Sequence, residues 1–293
     1  MTVVVTGGTG FIGSRVRSEL EAAGHTVVAW SRRGTNGTES VDLSDLAAVT
    51  AALSHSEASA LVHAAGSTPH NTEDAGIAWY ATNDVVWAAN LVEAARELGI
   101  ERVIALGSAA EYGAAPAPQQ VGNEEPPASP YGFGRRVCTG IFELARRQWG
   151  LDTSVLRVFS VYGPGQPRTM LVSTLVDAIT EATPGQIGQL DRIRDFIHVS
   201  DVARAVRDAV ETPGVPPVLN VGTGIGTSVG DLVRLLEAVG GRPAEVKVGM
   251  ARPDDTFALV ADLTLTFDAI RWRPVVGLAD GLQSVLPQRP QRV

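Results

Sequence analysis

Tyr131 and Arg135 stand four residues apart in Ser-Pro-Tyr-Gly-Phe-Gly-Arg-Arg, residues 129–136. A helix beginning near Pro130 puts both side chains on one face. A free phenol titrates at about pH 10, so a fixed cation beside it helps make a usable acid or base near neutrality. Arginine supplies that charge as a wide planar fork that does not release a proton. Ser108 lies 23 residues before Tyr131, at the end of an apolar run. A strand-end serine and a helix-start tyrosine at the C-terminal edge of a parallel sheet both face the crevice where ligands bind.

The elements that must hold these groups are legible as a pattern. Residues 3–5, 26–30, 60–63, 102–106 and 153–158 are short β-branched runs that read as strands. Between them 11–23, 45–53, 84–98 and 131–149 have helical spacing. The alternation predicts an α/β fold, a Rossmann-type doubly wound parallel sheet covered on both faces. Residues 1–158 form the expected dinucleotide-binding domain, with a return to the sheet around 195–222, where 218–221 reads as a strand. Residues 159–194 and 223–293, including a helix at 229–239, form a smaller substrate-binding domain. The polar, proline-rich loop 114–130 lies between two chemical elements and is a plausible lid.

Between the first strand and first helix comes Thr-Gly-Gly-Thr-Gly-Phe-Ile-Gly, with Gly7, Gly8, Gly10 and Gly13. Glycines there permit a tight turn and let the N–H groups around Gly10, Phe11, Ile12 and Gly13 approach a pyrophosphate. The second strand ends at Ser31, followed by Arg32 and Arg33, with no carboxylate to accept ribose hydroxyls. Removing the carboxylate removes repulsion of a 2′-phosphate, and two arginines can pair with it, which favours NADP over NAD. The alternative is a basic surface turn. Asp42 and Leu43 could accept from an adenine amino group, and Ala64, Ala65 and Gly66 could bring backbone close to the cofactor.

Bulk composition narrows the rest. A net charge of −8 with no basic run longer than two argues against nucleic acid or an anionic membrane as partner. The single cysteine, Cys138, excludes an internal disulfide and reads as packing. No leader and no 18-residue apolar stretch is visible, so a cytoplasmic protein is expected. Five histidines are scattered without ligand spacing, and His63 and His198 read as core residues, so no metal site is expected. Lys247 is the one lysine among 24 basic residues, a strong bias toward arginine.

Taken in order, TGGTGFIG, SAAEYG, SPYGFGR, LRVFSVYGPGQ, RDFIHVSDVARA and LNVGTG resemble the extended short-chain dehydrogenase/reductases, the NAD(P)-dependent nucleotide-sugar epimerase/dehydratase group, over nearly the whole chain. The resemblance implies that Tyr131 is the acid/base, that Ser108 orients the substrate oxygen, and that position 135 binds the nicotinamide ribose. The family has lysine at that position and this chain has Arg135. Either an arginine-rich background replaced it with activity intact, or hydride chemistry relaxed and the fold serves another role. The resemblance also places Arg194 and Arg252 on the nucleotide diphosphate, although Arg194 could instead pair with Asp195. Ser160 stands where the family has a sugar-contacting asparagine. Members mostly dimerise through the tyrosine-bearing helix, on which Val137, Ile141 and Leu144 are available, so a homodimer is expected.

Family dehydratases carry Asp-Glu just after the catalytic hydroxyl. Here Ala109 and Ala110 follow Ser108, which disfavours dehydration, and Glu111 is expected to face away or cap the turn. The leading expectation is NADPH-dependent reduction of a keto group on a nucleotide-linked deoxysugar. Three alternatives stay open: an epimerase with bound NAD, a reductase of a non-sugar carbonyl, and a non-catalytic dinucleotide-binding regulator.

Overall fold

Val3, Val4 and Val5 are fully buried, and their side chains alternate between two separate cores. Burial on both faces marks a central parallel strand. The structure, a computed structural model, describes residues 1–67, 76–181, 183–250 and 256–287. The chain runs β1 (Thr2–Thr6), α1 (Phe11–Ala22), β2 (Thr26–Ser31), β3 (Glu39–Ser40), α2 (Leu46–Ser56) and β4 (Ala60–His63). It continues through α3 (Ile77–Tyr80), α4 (Val86–Glu97), β5 (Arg102–Ser108), α5 (Pro130–Trp149), β6 (Asp152–Val158) and β7 (Ser160–Tyr162). Then follow α6 (Leu171–Thr180), β8 (Gly185–Ile187), β9 (Ile193–His198), α7 (Val199–Glu211) and β10 (Val218–Val221). The last elements are β11 (Gly226–Ser228), α8 (Val229–Gly240), β12 (Val246–Val248), β13 (Ala258–Leu259), α9 (Thr264–Ala269) and α10 (Leu278–Val285).

Seven strands form one all-parallel sheet in the order β10–β6–β5–β4–β1–β2–β3. Helices α1 and α7 cover one face, where Val16, Leu20, Val202 and Val206 pack on Val3 and Val5. Helices α2, α4 and α5 cover the other, with Leu53, Leu91 and Phe142 against Val4 and Leu61. This is the Rossmann-type fold expected from the alternation. Strand order reverses between β1 and β4, which opens a crevice at the carboxyl ends of the strands. A third core, around Leu175, Phe196, Leu232 and Leu236, lies among the later elements.

Three expectations need correction. The return to the main sheet is made by β10 alone. Strand β7 leaves β6 after one residue, Phe159, and its edge takes up β9 in a second sheet with β11 and β13. The helix expected at 84–98 is present as α4, but the helical run starts earlier than expected: α3 comes first, then a wider π-type turn at Ala81–Val85 that leads into α4. Such a turn holds an extra residue and re-aims its side chains, and here it turns Asp84 inward, leaving it 1% exposed. The segment 114–130 is anchored rather than hinged. Gln119 is fully buried, donates from its side chain to the Ala115 and Ala258 carbonyls, and accepts from Val260 N–H. Its backbone also exchanges bonds with Val260 and Asp262, and no lid reading survives that grip.

Candidate active site

The glycine loop after β1 is shaped by close backbone approach. Gly7 has φ +68°, and a Cβ there would stand 2.7 Å from Ala65 N. A Cβ on Gly13 would stand 2.1 Å from Gly7 O. Helix α1 therefore starts directly against the loop, with Gly10 as an N-cap that has no side-chain cap bond. The first N–H groups of the helix are left for an anion. A cradle that any side chain would fill is what a dinucleotide pyrophosphate requires, so Gly7, Gly10, Phe11, Ile12 and Gly13 fit that group. Ala64, Ala65 and Gly66 follow β4 and form the facing wall, with Ala65 N–H donating to Thr6 Oγ1 at 3.2 Å.

The end of β2 carries the expected basic pair. Ser31 Oγ accepts from Gly34 N–H at 3.0 Å and bonds Thr38 Oγ1 at 2.6 Å, while Thr38 Oγ1 donates to Thr35 O. The Ser31 hydroxyl is thus consumed in building the turn, and Arg32 and Arg33 are left exposed on it. Arg17 of α1 ties the turn down through the Asn36 and Gly37 carbonyls. Asp42 Oδ1 accepts from Ser44 Oγ and N–H, and these bonds hold its carboxyl below the usual range. Beside it, Leu43 O accepts from Asn90 Nδ2 at 2.9 Å.

Ser108 ends β5 and caps the 3-10 turn Ala109–Tyr112. Its Oγ accepts from Ala110 N–H at 3.2 Å, which fixes the rotamer and leaves its own proton to donate. Glu111 closes a capping box by accepting from Ser108 N–H at 2.8 Å. The expectation that Glu111 caps the turn holds, and more follows. It is fully buried, and its other oxygen accepts from Thr139 Oγ1 at 2.7 Å and Arg157 Nε at 2.9 Å. Arg157 also pairs with Glu124 and lies 4.7 Å from the Tyr112 ring centroid.

Helix α5 starts with Ser129 as N-cap, its Oγ accepting from Gly132 N–H at 3.1 Å, and Pro130 in the first turn. Gly132 packs so closely on the 3-10 turn that a Cβ would stand 2.5 Å from Ala110 O. That contact brings the start of α5, with Tyr131, beside the turn that Ser108 opens. The guanidinium of Arg135 lies 5.6 Å from the Tyr131 ring centroid, on the shared helix face that the spacing predicts. Its Nη2 donates to Ser67 O at 3.0 Å and faces Asp84 at 3.7 Å. Burial opposes the Arg135 charge, yet Tyr131 and Asp84 outweigh it and raise the pKa, so the cation is held. Next to it, His63 is fully buried, and desolvation together with Arg135 lowers its pKa to about 3. Burial pushes the Cys138 thiol up to about 12, consistent with packing.

Toward the second sheet, Ser160 opens β7. Arg194 and Asp195 do not form the pair that their adjacency suggested. Successive residues of β9 face opposite ways, and the buried Asp195 carboxylate accepts from Thr223 N–H and Oγ1, Gly224 N–H and Ala261 N–H. Arg194 Nη1 donates to the Ile193 and Phe257 carbonyls. Arg252 lies outside the described residues. His198 caps α7 and stacks edge-on to Tyr162, and no group of metal-ligating side chains occurs among the described residues. Among the described residues no helix is long and apolar enough to cross a membrane.

A family model described as the NAD dependent epimerase/dehydratase family matches residues 3–222. The chain belongs to this family. It is an NAD(P)-dependent enzyme of the extended short-chain dehydrogenase/reductase type. Among curated relatives, dTDP-6-deoxy-L-talose 4-dehydrogenase (NAD(P)(+)) of Kitasatospora kifunensis is 31% identical, across 93% of this chain and 90% of its own. UDP-glucose 4-epimerase of Mycolicibacterium smegmatis is 30% identical, across 96% of each. The solved structure of MoeE5 in complex with UDP-glucuronic acid and NAD matches with a TM-score of 0.89 at 31% identity, covering 97% of both chains. That of the UDP-glucose 4-epimerase of Thermus thermophilus in complex with NAD matches with 0.87 at 26%, again over 97% of both.

Within this family site, sequence reasoning missed Asp84, Ser67 and Thr6. Asp84 offered one signal: it is the single carboxylate in the apolar stretch 77–92, where a helix facing the core has no ordinary use for one.

Proposed function

We propose that the protein reduces a keto group on a nucleotide-linked sugar, with NADP as the preferred cofactor. The observation that carries this reading is the meeting of Ser108, Tyr131 and Arg135 beside the glycine cradle, with Ala109 and Ala110 where a dehydratase would need an acid and a base. A bound nicotinamide dinucleotide supplies the hydride. Tyr131 delivers the proton to the carbonyl oxygen, and the Ser108 hydroxyl, fixed by Ala110 N–H, donates to that same oxygen and orients it. Arg135 holds the nicotinamide ribose with the part of its fork that Ser67 does not occupy. Arg32 and Arg33, exposed on the turn that Ser31 builds, are the reason to favour NADP. Asp42, Leu43 and the wall at Ala64, Ala65 and Gly66 receive the rest of the cofactor. Residues 159–194 and 223–293 form the substrate-binding part, with Ser160 and Arg194 toward the nucleotide sugar and Arg252 assigned there from sequence. The α5 surface, with Phe133 and Leu144 about half exposed, is proposed to pack on a second copy as a homodimer.

A second reading is an epimerase that keeps NAD and oxidises and re-reduces one sugar carbon. It is favoured by the relatives, several of which are UDP-glucose 4-epimerases, one of them solved with NAD. Incubation with 4-keto nucleotide sugars and either reduced cofactor separates the two. Ketone-dependent NADPH oxidation supports the reductase. Interconversion of UDP-sugar epimers with co-purifying NAD and no net consumption supports the epimerase. Cofactor binding with no turnover on any carbonyl overturns both. In the same assay Tyr131→Phe abolishes turnover with cofactor affinity nearly unchanged.

A further inference from the structure

A buried arginine is an expensive choice next to a reacting phenol. Its charge cannot be discharged by losing a proton, so burial demands a counter-charge and hydrogen-bond acceptors. Arg135 is 8% exposed. With it, two residues from separate places, Ser67 and Asp84, form a closed ring. Asp84, at the π-type turn before α4, accepts from Ser67 Oγ at 2.9 Å and from Ser67 N–H at 3.2 Å. The carbonyl of the same Ser67 accepts from Arg135 Nη2 at 3.0 Å, and that Nη2 faces the second Asp84 oxygen at 3.7 Å. Asp84 is 1% exposed, and both of its oxygens are engaged within the ring: its hydrogen bonds go to Ser67 and its charge to Arg135.

The ring fixes which edge of the fork is used. Nη2 is spent on Ser67, Nε is buried without a partner, and Nη1 carries no hydrogen bond among the described residues. We infer that Asp84 is a positioning residue: through Ser67 it anchors the Nη2 edge of Arg135 and so presents Nη1 to a hydroxyl of the cofactor ribose. The inference rests on the reading that Arg135 faces that ribose. In this arrangement the carboxylate both neutralises the buried cation and orients the Ser67 carbonyl that grips it. Asp84 touches neither cofactor nor substrate and acts through Arg135.

The test is a double-mutant cycle on the full-length protein, with NADPH and NADH affinity measured by calorimetry and folding checked by thermal melting. Asp84→Asn is expected to weaken cofactor binding by about tenfold, the scale of one charge-assisted hydrogen bond. In an Arg135→Met background the same substitution is expected to change cofactor affinity by less than about twofold, because the group it positions is gone. That background should also melt higher with Asp84→Asn than without it, since the lone buried carboxylate is relieved. Equal losses of affinity from Asp84→Asn in both backgrounds would mean that Asp84 supports the loop irrespective of Arg135, and would overturn the inference. If Arg135→Met alone binds both cofactors like the parent, the underlying assignment of Arg135 to the ribose fails, and the inference with it. Should Asp84→Asn not fold, Ser67→Ala removes one of the bonds to Asp84 without touching a charge. It should give a smaller loss that also disappears with Arg135→Met, and a loss persisting there overturns the inference.

Discussion

A Cβ placed on Gly66 would stand 2.0 Å from Arg135 Nη2 and 2.8 Å from its central carbon. Gly66 does not lie in the left-handed region, so its requirement for glycine comes from the guanidinium and not from backbone strain. The size of the side chain at 135 and the absence of one at 66 are two halves of one fit.

The first prediction follows from that fit. Gly66→Ala should push the fork off Ser67 O and weaken cofactor binding by about tenfold, the worth of the charge-assisted bond that is lost. Arg135→Lys should bind and turn over normally, because the same charge arrives on a narrower, flexible stem. Gly66→Ala combined with Arg135→Lys should recover most of the affinity lost in Gly66→Ala. Calorimetric titration of the three variants decides it, and an equal loss from Gly66→Ala in both backgrounds would show that the Cβ offends something else.

The second prediction concerns the ion pair beneath Ser108. The Arg157 side chain is 2% exposed and that of Glu111 0%, at 2.9 Å. Removing one partner strands a buried charge, whereas replacing both with apolar groups does not. Glu111→Leu should cost about 3 kcal/mol, the lower part of the range for a broken buried pair, because Glu124 still faces Arg157. Glu111→Leu with Arg157→Met should recover only part of that loss in a urea melt, because Glu124 then loses Arg157 and keeps Arg136 alone as a partner. Activity should stay low in both, because Ser108 N–H loses its acceptor and the turn that holds the Ser108 hydroxyl loses its capping box.

The third prediction tests the basic turn. Arg32→Ala with Arg33→Ala should erode any preference for NADPH over NADH by roughly 1.5–3 kcal/mol, the value of a charge-assisted pair, while NADH affinity is little changed. The turn itself should survive, since Ser31, Thr38 and Arg17 hold it and neither arginine side chain does. Equal affinity of the unmodified protein for the two cofactors would reduce the pair to a surface feature.

What was legible in advance divides along a physical line. Buried parallel strands announce themselves as short β-branched runs, and the glycine loop and Ser108 sit at the ends of such runs, while Tyr131 and Arg135 share a face at the start of a helix that Ser129 and Pro130 announce. Asp84 stood out as a lone carboxylate, but its direction was not legible, because that depends on one extra residue in a helical turn at Ala81–Val85. Composition misled at 114–130: a polar, proline-rich loop suggested a lid, but the segment is gripped through Gln119, whose partners Ala258 and Val260 are about 140 residues away along the chain. The return to the main sheet expected from 195 onward is not made by β9, because the sheet it joins is chosen by the free edge of β7, a tertiary fact.

The last prediction is a pH dependence of stability. Burial, then the charge of Arg135, lowers His63 from the ordinary 6.5 to about 3. Thr6 Oγ1 accepts from Ala65 N–H and turns its own proton toward His63 Nδ1 at 2.9 Å, an arrangement complete with a neutral ring. The folded protein therefore does not take up a proton at His63 where the unfolded chain does. Between those two values the unfolded state binds more protons, so stability falls as pH falls. The loss begins near pH 6.5 and continues toward pH 3. Between pH 7.5 and 5.5 it should amount to about 1.4 kcal/mol from this one residue. Urea denaturation at those two pH values should show that decrement in the parent, and His63→Asn should lack it, whatever its stability at pH 7.5. A parent and variant that lose stability in parallel would place the proton uptake on another group.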